Sequence, residues 1–437
     1  MKVLKFGGTS VGSPERIKNV AELICKSAGR NITVLSAMSG TTNSLLQIDS
    51  FLKQGDKSTA LSHIGSLKNK YDEVIEELYS SEESKDAATE IIDGFFADII
   101  NLAEEEYNLR TEKEIVAMGE LISTNLMHRY LLETGREAVL IPALEYMKKD
   151  VHGEPDFNFI QDRLTSLLSS YPECDIFITQ GFICRDEDGR TDNLDRGGSD
   201  YTASIIGGVL KADEVQIWTD IDGMHNNDPR FVEDTAPVHN LHFEEAAELA
   251  YFGAKILHPT CIQPAKQNNV PVRLLNTMEP DAEGTLIDNS LLTGSIKAVA
   301  AKDNITAIKI KSSRMLLAYG FLKKVFEVFE KFRTPIDMIA TSEVGVSLTI
   351  DNDGKLPEIK SELEKLGTVT VDPDMVIICV VGDLDWRNRG FEAKALDALR
   401  NVPVRMISYG GSNYNVSFLI RKEDKTKALR LLSYHLF

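Results

Sequence analysis

A lysine just ahead of a glycine pair is the first place where this chain could do chemistry. Lys5 lies in the apolar run Val3–Phe6, and Gly7-Gly8-Thr9-Ser10-Val11-Gly12 follows. Glycines at a strand-to-helix turn let backbone N–H groups approach a phosphate, and the helix N-terminus adds positive potential. No Gly-Lys-Ser/Thr follows, so this is not a Walker A loop. The lysine sits before the glycines, near the carboxyl end of the strand, the edge where open α/β sheets bind ligands. Taken alone, the segment reads equally well as a tight turn with a solvent-facing lysine. A second glycine-flanked helix start, Asp195-Arg196-Gly197-Gly198-Ser199-Asp200-Tyr201-Thr202, carries an arginine. Ser199 could cap the apolar helix that follows, and Asp200 in its first turn suits the helix dipole. Two such starts in one domain could also grip both ends of a charged substrate.

Three further features stand out. Trp218-Thr219-Asp220-Ile221-Asp222-Gly223, with Asn227-Asp228-Pro229-Arg230 beyond it, follows the strand Val215–Thr219 and so belongs to the same edge. Asp222-Gly223 also has the composition of a plain turn, and the acidic spacing is wrong for an EF-hand. Lys255, in Gly253-Ala254-Lys255-Ile256-Leu257-His258-Pro259, lies between a helix end and a proline, where an isolated lysine often only complements the dipole. Glu120 sits inside Ile115-Val116-Ala117-Met118-Gly119-Glu120-Leu121-Ile122. A carboxylate there is costly unless paired, so it either faces solvent or serves as counter-charge to a ligand ammonium.

The elements that must position these residues are legible as alternation. Val3–Phe6, Ile32–Ser36, Ala138–Ile141, Ile176–Thr179, Val215–Thr219 and Val272–Leu275 read as buried strands separated by helical segments. That order predicts a mainly parallel sheet covered by helices on both faces, over residues 1–294. Ser13-Pro14-Glu15 opens one helix with an N-cap, a first-turn proline and an acid. Residues 53–110 are rich in Lys, Glu, Asp and Ser with helical periodicity, and read as a helical insertion, either a lid or a plain solvated hairpin.

Beyond residue 295 the chain repeats itself. At an offset of 70 residues, Gly320–Ile350 falls on Gly390–Ile420 without a gap, matching Gly320-Phe321 with Gly390-Phe391, Ser342 with Ser412 and Val346-Ser347 with Val416-Ser417. Each copy reads as a ferredoxin-like βαββαβ unit. The first spans 303–373. The second, 374–437, lacks a strand, which the segment 295–302 is expected to supply, making the first unit an insertion within the second.

Composition narrows the function classes. The 437 residues carry 48 Lys and Arg against 67 Asp and Glu, a net charge of −19, which disfavours nucleic acid and anionic membranes as partners. The five cysteines are scattered without a Cys-x-x-Cys pair, which fits a reducing compartment and no cysteine metal site. Apolar runs are too short for a membrane helix, so a cytoplasmic location is expected.

Lys-Phe-Gly-Gly-Thr-Ser (5–10), Met-Gly-Glu (118–120), Arg-Gly-Gly-Ser-Asp (196–200), Thr-Asp (219–220) with Asp-Pro-Arg (228–230), and Gly-Ala-Lys (253–255) with His-Pro (258–259) together resemble the bacterial aspartokinases of the amino-acid kinase superfamily. The paired C-terminal units resemble ACT regulatory domains. The resemblance implies transfer of the ATP γ-phosphoryl group, with Mg²⁺, to the side-chain carboxylate of L-aspartate, the first step towards lysine, threonine and methionine. By the same resemblance Lys5, Gly8, Gly198 and Asp200 are catalytic, and Thr42, Glu120, Arg196 and Ser199 hold aspartate. Lys5, Gly7, Gly8, Thr219, Asp220, His225, Arg230 and Lys255 would contact ATP, His225 standing where relatives often carry tyrosine. No residue is assigned as a metal ligand.

The stretch from Met315 to Ile350, notably Pro335-Ile336-Asp337 and Thr341-Ser342-Glu343-Val344, resembles the lysine-inhibited, single-function members. This implies L-lysine as feedback inhibitor, recognised by Met315, Asp337 and Ser342 between ACT units of a homodimer. Kinases for acetylglutamate, glutamate or UMP are competing readings within the superfamily, but a Glu120–Arg196 pair suits a free α-amino acid. A non-catalytic amino-acid sensor would be expected to have lost Lys5, Asp200 or the glycines, and all are present.

Overall fold

The computed structural model describes residues 1–437 except 195–196, 254–257, 291–293, 313–314 and 316–318. The chain begins with β1 (Lys2–Phe6), α1 (Pro14–Lys26), β2 (Asn31–Leu35), α2 (Thr41–Lys53), α3 (Lys57–Leu78), α4 (Glu82–Glu104) and α5 (Leu109–Glu133). It continues through β3 (Val139–Leu140), α6 (Ala143–Tyr146), α7 (Phe157–Ser169), β4 (Ile176–Gln180), β5 (Ile183–Arg185), β6 (Thr191–Asn193), α8 (Gly198–Leu210) and β7 (Glu214–Thr219). Next come β8 (Asn240–His242), α9 (Phe243–Tyr251), α10 (Gln263–Gln267), β9 (Val272–Asn276) and β10 (Thr285–Asp288). The last stretch holds β11 (Ile296–Lys311), α11 (Phe321–Lys331), β12 (Ile339–Ser342), β13 (Gly345–Ile350), α12 (Leu356–Glu364) and β14 (Thr368–Gly382). It closes with α13 (Phe391–Ala398), β15 (Val404–Tyr409), β16 (Asn415–Arg421) and α14 (Lys425–Leu436).

These elements form two compact units, residues 1–223 with 257–289, and residues 224–256 with 290–437. In the first unit the sheet runs β3-β4-β2-β1-β7-β9-β10. The β3–β4, β2–β4, β1–β2, β1–β7 and β7–β9 pairs are parallel, and β10 returns antiparallel to β9. Every residue of β2 is buried, as a central parallel strand covered on both faces requires. Register aligns Phe6 with Leu35 and Trp218, and Leu35 with Gln180, so the turns after β1, β2, β4 and β7 leave from one edge. Helix α1 starts as its residues dictate, Ser13 Oγ accepting from the Arg16 N–H at 3.3 Å with Pro14 in the first turn.

The helical insertion is not an appendage. Ile64, Leu67 and Tyr71 of α3 and Ile92, Phe96 and Ile99 of α4 are buried in one cluster with Leu4 and Phe6 of β1 and Leu126 of α5. Each such large side chain contributes roughly 1.5–3 kcal/mol by leaving water, so α3 and α4 help hold the first strand. The hairpin β5–β6 and strands β8 and β10 are the strands the apolar patterning missed. All four are short, and β6, Thr191-Asp192-Asn193, has no apolar residue.

In the second unit both repeats contribute to one six-stranded sheet, ordered β12-β13-β11-β14-β16-β15. Two long strands make this possible. Residues 306–311 of β11 pair with β13, and β11 pairs along its whole length with β14, residues 296–302 against 377–382. The register shifts between Lys302 and Ala307, and the left-handed Asn304 (φ 60°) and Asp374 (φ 56°) lie at this break. Each half has its own core: Val325, Phe329, Ile359 and Leu363 of α11 and α12 lie over one, Ala395, Leu429 and Leu432 of α13 and α14 over the other. Residues 224–256 pack into this unit, with the Asn227 amide donating to Leu429 O at 3.0 Å and His242 stacked on Tyr414 at 5.2 Å.

Candidate active site

The site is assembled at the edge where β1, β2, β4 and β7 end. Lys5 Nζ lies 2.7 Å from Asp200 Oδ1, so a β1 lysine and a first-turn α8 carboxylate meet across a large sequence separation. A Cβ on Gly7 would come 3.4 Å from Lys5 Nζ, so the ammonium lies close to the glycine turn. A Cβ on Gly8 would stand 2.7 Å from the Ala37 carbonyl oxygen, and the Ser39 N–H donates to Gly8 O at 3.1 Å. Only glycine allows the turn after β1 to touch the turn after β2.

Helix α8 is brought to the same edge. Ser36 Oγ donates to Ser199 Oγ at 2.9 Å. A Cβ on Gly181, just after β4, would come 2.3 Å from the Ser199 Cβ. Gly197 caps the helix in the left-handed conformation (φ 74°), and a Cβ there would meet Cys261 Sγ at 1.8 Å. Ser199 is therefore not the N-cap that its residue type suggested. It stands inside the first turn with no side-chain cap, because Gly197 already reverses the chain. Gly198 opens α8 beside it, offering an N–H that the helix does not use.

Glu120 completes the constellation from α5. It is buried, its Oε1 accepts from the Ala37 N–H at 3.2 Å, and its Oε2 has no partner. Burial pushes its carboxyl up to about 7, against the opposing pull of the Ala37 hydrogen bond. A buried carboxylate left half unsatisfied suits a cation that arrives with a ligand. Gly119 brings α5 this close, since a Cβ on it would lie 2.8 Å from Ala37 Cβ. Thr42 is half-buried in the first turn of α2, next to Thr41, whose hydroxyl shares a 2.7 Å hydrogen bond with Tyr71 of α3.

The remaining assigned residues divide. Thr219 ends β7 and Asp220 follows it in the first unit, Thr219 Oγ1 donating to Asp220 Oδ1 at 3.1 Å. His225 and Arg230 belong to the second unit, His225 Nδ1 2.8 Å from Thr235 Oγ1 and Arg230 in a forked ion pair with Asp228 at 2.6 Å. Arg196 and Lys255 lie outside the described residues. In the regulatory half, Asp337 is buried against Lys302 at 2.6 Å, Met315 packs against the core under α11, and Ser342 is exposed at the end of β12.

The residues that sequence reasoning missed are the supports. Ser36 and Ala37 act through a side-chain hydroxyl and a backbone amide at a strand end, and Gly119 and Gly181 act by lacking a Cβ. Gly181, directly after an apolar strand, carried the one usable signal. Among the described residues no three His, Cys, Asp or Glu side chains gather as a metal cage, and no helix is long and apolar enough to cross a membrane.

Comparisons with known proteins identify the family. The amino acid kinase family model matches residues 1–276, and an ACT domain model matches 378–436. The lysine-sensitive aspartokinase 3 of Escherichia coli is 32% identical across all of this chain and 99% of its own length. A chloroplastic aspartokinase 1 of Arabidopsis thaliana is 34% identical over all of this chain and 80% of its own. The crystal structure of E. coli aspartokinase III with aspartate and ADP superposes at a TM-score of 0.84 with 32% identity, each chain covered completely. The same enzyme with lysine and aspartate, in its T-state, gives 0.84 with 33% identity over both full chains. This chain belongs to the amino acid kinase family, as one of its aspartokinases.

Proposed function

We propose that the enzyme transfers the γ-phosphoryl group of ATP, carried with Mg²⁺, to the β-carboxylate of L-aspartate, giving 4-phospho-L-aspartate and ADP. The observation that carries this reading is the buried carboxylate of Glu120, whose Oε1 accepts from the same Ala37 turn that Gly8 of the Lys5 loop touches, while its Oε2 is left without a partner. The nucleophile is a carboxylate, ionised at neutral pH with a pKa near ~4, so no general base is required. The work is alignment of two anions and neutralisation of charge on the phosphoryl group in transit.

In this reading Asp200 aims the Lys5 ammonium at the phosphoryl group, and the N–H groups of Gly8 and Gly198 supply donors fixed before reaction, whereas the Gly7 N–H already donates to Trp218 O at 3.3 Å and serves the turn instead. Glu120 takes the aspartate ammonium, with Thr42 and Ser199 beside it, and Arg196 the α-carboxylate. Thr219, Asp220, His225, Arg230 and Lys255 are assigned to the nucleotide. Mg²⁺ would shield the phosphates of ATP. Phosphate and water can supply most of the ligands of such an ion, and no residue is assigned to it.

The proposed organisation is a catalytic domain over 1–294, with 53–110 as its helical insertion. One ACT domain spans 303–373, and a second is built from 295–302 plus 374–437. The enzyme is proposed to work in the cytoplasm as a homodimer joined through these domains, with L-lysine as inhibitor through Met315, Asp337 and Ser342. The lysine-sensitive E. coli relative supports the choice of effector.

The test is an ATP-dependent hydroxylamine trap run over several acids, with and without lysine. An acyl phosphate yields a hydroxamate and a phosphorylated alcohol does not. Hydroxamate from aspartate alone, suppressed by lysine, is expected; product from glutamate or acetylglutamate instead overturns the substrate assignment.

A further inference from the structure

The carboxylate assigned to the effector ammonium already holds an ammonium. Asp337, whose side chain is 1% exposed, has its Oδ1 2.6 Å from Lys302 Nζ and 3.0 Å from the Tyr251 hydroxyl. The same Nζ lies 2.9 Å from Asp351 Oδ2 and 4.2 Å from the centre of the Tyr251 ring. Two carboxylates and an aromatic face around one cation make a complete ammonium site, filled by a side chain of the protein itself. Lys302 is placed there by the fold. It ends the stretch of β11 that pairs with 377–382, immediately before the register break at Asn304.

The cage is also tied to the nucleotide segment. Tyr251 is the last residue of α9, and Gly253 follows with φ 125°. A Cβ on Gly253 would come 2.3 Å from the Ala301 carbonyl oxygen, so the chain leaving α9 lies directly on the β11 residue before Lys302. Lys255, assigned to ATP, is two residues further along.

We infer that Lys302 is a tethered stand-in for the effector ammonium, so that an inhibitory amino acid gains Asp337 only by displacing it. This rests on the proposed lysine-regulated aspartate kinase. Asp337 Oδ2 is buried and without a partner, but the carboxylate carries a single negative charge that Lys302 already neutralises, so an effector ammonium and Lys302 compete for it. Displacement removes the cation from the Tyr251 ring and the partner from Asp337, disturbing α9 at the end that leads into Gly253-Ala254-Lys255. The chain thereby sets its own sensitivity: the tighter the internal pair, the more lysine is needed.

The experiment measures lysine inhibition of aspartate-dependent hydroxamate formation by the full-length enzyme, each variant normalised to its own uninhibited rate. Lys302→Met keeps the stem and deletes the competitor, and its half-inhibitory lysine concentration is expected to fall about tenfold or more. Asp351→Asn, at a half-exposed position that leaves Asp337 intact, loosens Lys302 and should lower that concentration about threefold, which keeps the test alive if Lys302→Met does not fold. An inhibited wild type whose variants show the same or higher half-inhibitory concentrations overturns the stand-in and leaves the lysine-regulated kinase standing. A wild type that lysine does not inhibit, with a Lys302→Met variant that it does, supports the stand-in. Failure of both to respond overturns the stand-in together with the choice of effector.

Discussion

Two of the lysine–aspartate pairs in this molecule, nearly equal in length, stand in opposite surroundings. Lys5 and Asp200 meet at 2.7 Å, Lys302 and Asp337 at 2.6 Å. Around Lys5 the surplus is positive: its ammonium lies beside the Gly7 turn, and its partner Asp200 stands in the first turn of α8, at the positive end of the helix dipole. Around Lys302 the surplus is negative, with a second carboxylate and an aromatic face. In the proposed mechanism the aspartate of the first pair serves the lysine by aiming it, and an anion can be added. At the second the lysine serves the aspartate by quenching it, and only another cation can take its place. A salt bridge seen in isolation says little about function; the uncompensated groups around it decide what binds.

The largest effect expected from breaking this contrast is at Lys5. Lys5→Met should lower kcat by about 10²–10³ while leaving the aspartate KM within a few-fold, because the ammonium is needed most as charge moves on the phosphoryl group. Single-turnover hydroxamate assays would read it. A comparable rise in KM with kcat intact would make Lys5 a ground-state binder instead. Next comes Gly8→Ala. Its Cβ meets the Ala37 carbonyl at 2.7 Å, and the turn must move by a sizeable fraction of an ångström. The expected loss is about tenfold to a hundredfold in kcat/KM, with thermal unfolding shifted only modestly. A variant as active as wild type would mean that the two turns need not touch.

A third test uses pH to ask whether the open half of the catalytic region is the Glu120 carboxylate. Burial raises its carboxyl to about 7, and an aspartate ammonium binds only the ionised form. The KM for aspartate should therefore rise as pH falls below about 7, approaching tenfold per pH unit, and Glu120→Gln should be weak but nearly pH-independent. The stability consequence has the opposite direction in pH. A carboxyl raised in the folded state from its ordinary value of 4.5 costs stability as pH climbs from about 4.5 to about 7, reaching about 3 kcal/mol above that window. Ligand-free Glu120→Gln should thus gain on wild type in thermal unfolding at pH 8 relative to pH 5. Equal differences at both pH values would place the titrating group elsewhere.

The contrast also shows what sequence alone could carry. Lys5, the glycine turns, Asp200 and Glu120 announce themselves because a charged or conformationally free residue breaks an apolar or helical pattern. The parallel strands and the C-terminal repeat were readable for the same reason. The supports were not. Ala37 contributes a backbone N–H, which any residue has, and Gly181 contributes an absent Cβ whose partner Ser199 is revealed only by the fold. The single sheet shared by both repeats depends on β11 and β14 continuing through a bulge, whereas periodicity reads each as two strands. Lys302 was hidden most thoroughly. In sequence it is one exposed-looking lysine at a strand end, and its partners come from α9, the segment before β12 and the end of β13.

The smallest expected effect lies in the closed pair. Tyr251→Phe removes one donor from Asp337 and keeps the ring over Lys302. Asp337 then depends on Lys302 alone for its Oδ1, and because burial already pushes its carboxyl upward, the loss is felt as stability. A cost of about 1 kcal/mol in urea unfolding at pH 7 is expected, and Tyr251→Leu, which also removes the aromatic face, should add about 1 kcal/mol. The ordering matters more than the sizes. If phenylalanine and leucine cost the same, the ring does not hold the ammonium and Lys302 is bound by its two carboxylates alone. If neither costs anything, the cage is a surface contact, and the contrast between an open pair and a closed one reduces to Lys5 and its glycines.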